Sequence, residues 1–188
     1  MPLPCEAPML DGDRIRLRKL TEEDTADMHA LYSDDVAMAY WGTPATRTIE
    51  ATRQLVLLDI SAVDNGSAMF WAIEWKATGT VIGKCTLWQY NENNQRAEVG
   101  YILNRQYWRQ GLMTEALAAM IDYAFSGLGL HRLEADTDSN NTASLALLEK
   151  LGFQREGFFR ERWYVNGQRQ DSVMLGLLEQ DWVNRNRD

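Results

Sequence analysis

The sequence predicts a mixed α+β sandwich. Three observations carry that expectation. Aromatic and β-branched segments over residues 69–103 are spaced as an antiparallel meander; a strand, a glycine turn, a helix and a further strand follow over residues 97–137 in the manner of a βαβ crossover; and a last pair of strands flanks Asn166-Gly167, the residue pair best suited to a tight type I′ turn.

Element by element, residues 14–20 alternate polar and apolar, the period of a half-buried strand. Thr21 then caps a helix that runs to Ser33, with Asp24 three residues on as an approximate capping box and Met28, Leu31 and Tyr32 as its apolar stripe. A second helix over residues 49–63 stops near Asn65-Gly66. Residues 69–75 and 81–90 form a hairpin about Thr78-Gly79, and residues 97–103 add the next strand. A helix over residues 112–125 ends at Gly127 or Gly129, and residues 132–137 read as a strand. A short helix over residues 142–151 has Asn141 at its N-cap and Gly152 at its end, before strands at 158–165 and 170–177.

The 188 residues suit one domain over residues 10–188, since no linker, repeat or low-complexity run divides them. Residues 1–9 hold three of the four prolines and one charge, so an extended arm is expected there, without the marks of a secretion signal. No apolar stretch approaches the roughly 20 residues that cross a bilayer, so a cytoplasmic protein with no membrane partner is expected. Cys5, Cys85, His29 and His131 show no ligand spacing, and no metal is expected. The net charge of −8 disfavours a nucleic acid backbone as partner. It would draw cationic substrates such as a basic protein tail or a polyamine, and serves solubility equally.

The turn at Trp108-Arg109-Gln110-Gly111-Leu112-Met113-Thr114 carries the chemical signal. Unpaired N–H groups at a helix start, with the positive end of the helix dipole behind them, make an anion site suited to a phosphate. A glycine there also serves simply to meet a backbone angle that other residues resist.

Several further segments sit in a fixed order around that turn: Glu98-Val99-Gly100-Tyr101, Tyr107-Trp108, Thr114-Glu115-Ala116, Asn141 with Ser144, Gly152-Phe153 and Glu156-Gly157. Together, over roughly residues 10 to 178, the chain resembles the GNAT N-acetyltransferase superfamily, and within it the RimJ/RimL-like branch. The resemblance implies a mostly antiparallel sheet of about seven strands flanked by helices, with two parallel strands splayed at the cofactor site. It implies acetyl-coenzyme A as donor and an amine as acceptor, either a protein N-terminus or a small amine, in a monomer or homodimer.

The resemblance also distributes roles. The pyrophosphate would lie on the amides of Arg109, Gln110, Gly111, Leu112, Met113 and Thr114, and the pantetheine arm along the backbone of Tyr101, Ile102 and Leu103. Asn141 matches a cofactor-contacting Asn, beside its plain reading as a helix cap. Glu98 matches a general base and Ser144 the donor to the departing thiolate, with Tyr101 and Tyr164 as substitutes and a backbone N–H near Leu103 for the oxyanion. Four departures stand out: Met113 brings bulk where the family has a small residue, Arg109 stands where this branch often has Gly, Leu148 replaces a frequent Tyr, and Trp163 replaces a branch-specific Glu. Glu161, two residues before Trp163, would share its face of an unbroken strand and is held in reserve. Trp41, Trp71, Trp88 and Trp163 are candidates to line the acceptor pocket. Three functions follow: acetylation of a protein α-amine, acetylation of a polyamine or antibiotic, or a non-catalytic acyl-CoA sensor.

Overall fold

The computed structural model describes residues 3–165 and 167–185. Eight strands form one sheet in the order β1-β2-β3-β4-β5-β6-β8-β7. β1 (Leu10–Asp11), β2 (Ile15–Lys19), β3 (Met69–Trp75), β4 (Thr80–Asn91) and β5 (Arg96–Leu103) run as an antiparallel meander. β6 (Arg132–Asp138) lies parallel to β5, and β8 (Gln168–Leu178) pairs antiparallel with both β6 and β7 (Gln154–Val165). The parallel pairing is short, from Arg96 opposite Arg132 to Glu98 opposite Glu134, after which the two strands part.

Helices α3 (Leu112–Ser126) and α4 (Thr142–Lys150) cover one face, and α1 (Thr25–Tyr32) with α2 (Ile49–Asp64) the other. α3 buries Leu112, Met113, Ala116, Leu117, Met120, Ile121, Ala124 and Phe125, the 3.6-residue stripe of a core-facing helix. The opposite face is lined by Met28, Leu31 and Tyr32 of α1, Val56 of α2, and Ala72, Val81 and Ile102 of the sheet. His29 Nδ1 meets Thr52 Oγ1 at 2.8 Å, and Thr52 Oγ1 meets Thr46 Oγ1 at 2.7 Å, a chain that pins α1 to α2. Also on this side, the Lys84 ammonium is buried in an ion pair with Asp59, 4.7 Å from the Phe70 ring centre and 5.4 Å from those of Tyr32 and Trp41. Burial pushes the Lys84 ammonium down and the Asp59 carboxyl up, and the mutual attraction of the two opposes both shifts.

The strand expected over residues 14–20 gains a two-residue neighbour, β1, too short to show a period. The first helix opens as a 3-10 turn at Glu22–Asp24, in which the Thr21 N–H donates to Asp24 Oδ2 at 2.8 Å, and continues as α1 from Thr25. Residues 3–9 carry no helix or strand, yet Leu3 and Ala7 are buried in the core and the Pro8 carbonyl accepts from Trp71 Nε1 at 2.8 Å. α5 (Glu179–Arg185) was not expected; it buries Trp182, whose Nε1 donates to Asp122 Oδ1 at 2.6 Å. In the terminal hairpin Gly167 has φ +80, and Asn166 lies outside the described residues.

β7 starts four residues before the expected point and is irregular between Phe159 and Trp163. There Glu161 takes φ +51, and its N–H donates to Asp171 Oδ1 at 2.8 Å. The strand is therefore broken at the position where face parity was to have placed Glu161 beside Trp163, and that argument for Glu161 as a reserve base is withdrawn.

Candidate active site

The parting of β5 from β6 leaves one edge of β5 open. The Asn104 N–H donates to the Ile82 carbonyl at 2.8 Å, and in an antiparallel ladder alternate residues bond across. Gly100 and Ile102 therefore bond to their β4 partners Thr86 and Lys84, while beyond the last parallel pair the N–H and C=O groups of Tyr101 and Leu103 face the gap. Of the three residues expected to offer their backbone, Tyr101 and Leu103 do so and Ile102 does not. The Leu103 carbonyl is already engaged, since Trp108 Nε1 donates to it at 2.7 Å.

The glycine turn lies beyond the end of β5. Arg109 and Gly111 both adopt positive φ, +60 and +77, and Gly111 stands at the N-cap of α3 with no side chain capping the helix. The first N–H groups of α3 are thus left for a ligand, the arrangement that suits a pyrophosphate. Arg14, just before β2, braces the turn: its Nη1 donates to the Gln110 carbonyl at 2.9 Å and its Nε to Glu115 Oε2 at 3.0 Å. Met113 is 7% exposed and packs in the core under the sheet. The bulk of Met113, at a position where the family has a small residue, is taken up in the buried stripe of α3.

Between the parted strands is a cavity of about 100 Å³, lined by Val99, Gly100 and Tyr101 of β5, residues 135–138 of β6, Asn141 and Ser144 of α4, and Tyr40 and Trp41 from the α1–α2 connection. It is a slot through the sheet, with a different chemistry on each face. On the α4 side, the Tyr101 hydroxyl and Ser144 Oγ lie 2.6 Å apart, and Asn141 Oδ1 caps α4 by accepting from the Ser144 N–H at 3.1 Å. Burial pushes the Tyr101 phenol up to about 12, opposed in part by the bond to Ser144. Leu148 is wholly buried, and Tyr164 stands exposed on β7, outside the slot.

On the α1–α2 side of the sheet, beside the slot and not among its lining residues, stands Glu98, 9% exposed and opposite Trp88 of β4 and Glu134 of β6. Burial, with the nearby carboxylates of Asp136 and Glu134, pushes its acid up to about 7, against a partial offset from Arg162 and Arg96. Gln89 Nε2 donates to Glu98 Oε2 at 3.3 Å.

Further along β6, Asp136 Oδ2 accepts from Arg162 Nε at 2.7 Å and Trp163 Nε1 at 3.1 Å. Asp136 Oδ1 and Asp138 Oδ2 are buried with no hydrogen-bond partner, as is Thr86 Oγ1. Asp136 and Asp138 escaped the sequence reading, although the spacing Glu134-x-Asp136-x-Asp138 puts three acids on one face of a strand. Of the four tryptophans named for the acceptor side, Trp41 lines the slot, Trp88 and Trp163 border Glu98 and Asp136, and Trp71 does not belong. Trp71 is fully buried in the other core, edge-on to Tyr123.

Residues 14–154 match the family model described as an acetyltransferase (GNAT) domain. The chain belongs to the GNAT acetyltransferase family. A curated relative named uncharacterized N-acetyltransferase p20, from Bacillus licheniformis, is 34% identical over 91% of this chain and 96% of its own. Spermidine N(1)-acetyltransferase of Escherichia coli (strain K12) is 27% identical over 93% of this chain and 91% of its own. Mycobacterium smegmatis RimJ, solved in complex with CoA-disulfide, shares the fold with a TM-score of 0.83 at 22% identity, over 95% of this chain and 90% of that one. GNAT acetyltransferases use acetyl-coenzyme A, and this chain accordingly transfers an acetyl group to an amine. The open edge of β5 and the uncapped start of α3 are the backbone groups here that fit such a donor.

Proposed function

We propose that acetyl transfer proceeds by direct attack of the amine in a ternary complex, with Glu98 as general base and the Ser144–Tyr101 pair as the acid at the sulfur. Acetyl-coenzyme A supplies an acyl group activated as a thioester. An ammonium has no lone pair, so the acceptor must lose a proton before it attacks. Glu98, with its acid near 7 and its side chain on the α1–α2 face of the sheet beside slot-lining Asp136, would take that proton onto a carboxylate oxygen, directly or through water. Ser144 and Tyr101, on the other face, hold a proton between two hydroxyls 2.6 Å apart, available to a departing thiolate. The single observation that carries this reading is the slot through the sheet, with the Ser144–Tyr101 pair lining one side and Glu98 standing beside its lining residue Asp136 on the other.

For the acceptor we favour a protein N-terminal α-amine, of the ribosomal-protein type. Its support is the RimJ/RimL-like order of motifs, together with an energetic match. An α-amine titrates near 8, about one unit above Glu98, whereas a lysine amine near 10.4 would hold its proton far more tightly against the same base. A small polycationic amine is the second reading, favoured by the unpartnered carboxylate oxygens of Asp136 and Asp138. The test follows thiol release with α-amine peptides, lysine peptides and small polyamines. Selective release with the first class is the expected result, and release only with the last would transfer the assignment.

A further inference from the structure

We infer that the acceptor carries a second positive charge, held beside the reacting amine by Asp136 Oδ1 and Asp138 Oδ2. The inference rests on the amine-acetyltransferase reading of the slot and adds to it a specificity subsite.

The Asp136 side chain is 4% exposed, and both Asp136 and Asp138 line the slot. Arg162 and Trp163 satisfy Asp136 Oδ2, and the Asn140 N–H and Nδ2 satisfy Asp138 Oδ1, at 2.7 and 3.1 Å. The remaining oxygen of each carboxylate is buried without a donor. A buried carboxylate oxygen left without a hydrogen bond costs free energy that the fold must recover elsewhere. Two such oxygens, two residues apart on one strand and on the face that carries Glu98, form an acceptor-only surface.

Charge points the same way. Glu134 is matched by Arg96 and Arg132, and Asp136 by Arg162, but among the described residues Asp138 has no ion-pair partner. An ammonium offers three donors and no acceptor, so it complements both oxygens. Asp136 lies two residues, about 7 Å of strand, beyond Glu134, the register partner of Glu98, so a second nitrogen a few atoms along the acceptor from the reacting one would reach it. A diamine has this chemistry, and so has a peptide N-terminus followed by a basic side chain.

The test compares kcat/KM for putrescine against butylamine, and for a peptide beginning Ala-Lys against one beginning Ala-Ala. Wild-type protein is expected to prefer the dication of at least one pair by about tenfold or more, chiefly through KM, the worth of one charge-assisted hydrogen bond. Which pair shows the preference identifies the source of the charge. In Asp138→Asn, which keeps the Oδ1 acceptor for Asn140, the preference is expected to collapse toward unity, with Asp136→Asn as the second variant. Calorimetry of putrescine and of the Ala-Lys peptide on the CoA-loaded protein reads the same subsite without turnover. Equal use of mono- and dications by the wild type, or an undiminished preference in both variants, overturns the inference. Thermal stabilisation by CoA with no release from any acceptor would instead overturn the transfer reading, and this inference with it.

Discussion

At the level of single residues, Glu98 carries the sharpest prediction. If it is the base, kcat/KM rises with pH through about 7, where the residue loses its proton. Glu98→Gln is expected to lower the rate about a hundredfold or more and to remove that inflection; a variant with full rate and an unchanged profile would dispose of the role. The same carboxyl also sets a sign for stability. Its acid in the fold, about 7, lies above the ordinary 4.5, so the folded state holds more protons between those values and stability falls as pH rises through that window. Glu98→Gln should therefore raise Tm relative to the parent at pH values above the window and not below it. Met113 makes the complementary case. Met113→Ala is expected to cost about 2–5 kcal/mol of stability, as for a buried methionine, with CoA affinity retained in the folded fraction. Weakened CoA binding at unchanged Tm would return Met113 to the phosphate site.

At the level of elements, α4 separates structure from chemistry. Asn141 caps the helix through the Ser144 N–H, so Asn141→Ala is expected to lose about 1 kcal/mol of stability while Asn141→Ser keeps the cap. A rise in the Kd for CoA in Asn141→Ser, at unchanged Tm, would show a cofactor contact beyond the cap. How far such elements were legible depends on their periods. β3 and α2 fall within a residue of their expected bounds because a run of aromatic and apolar residues, in the one, and a helical stripe, in the other, mark them throughout. β1 is too short for a pattern, and β7 is an edge strand exposed on both faces, with no buried side to impose alternation. The site was legible in the same proportion. Gly111 announces a turn, and period-two spacing would have grouped the acids of β6. The resemblance implies two splayed parallel strands, but the sequence does not state that they part after Glu98, and the point of parting decides which backbone groups of β5 are open.

At the level of the whole molecule, the direct-attack reading excludes an acyl-enzyme at the core cysteine. Cys85 is completely buried, and burial pushes its thiol far above the range in which it would ionise. Initial-rate patterns in acetyl-CoA and acceptor are accordingly expected to intersect, and parallel lines would point to a covalent intermediate. CoA should raise Tm with the logarithm of its concentration over Kd, the gain in stability being about 2.7 kcal/mol at a hundredfold excess.

The slot through the sheet also bears on traffic. With the α3–α4 face given to the donor and the α1–α2 face to the acceptor, neither product needs to leave by the other's door. Free CoA should then inhibit competitively against acetyl-CoA while the acetylated product competes only with the amine. A molecule pierced in this way can exchange its amine while the nucleotide stays seated, and so discharge one product without waiting for the other.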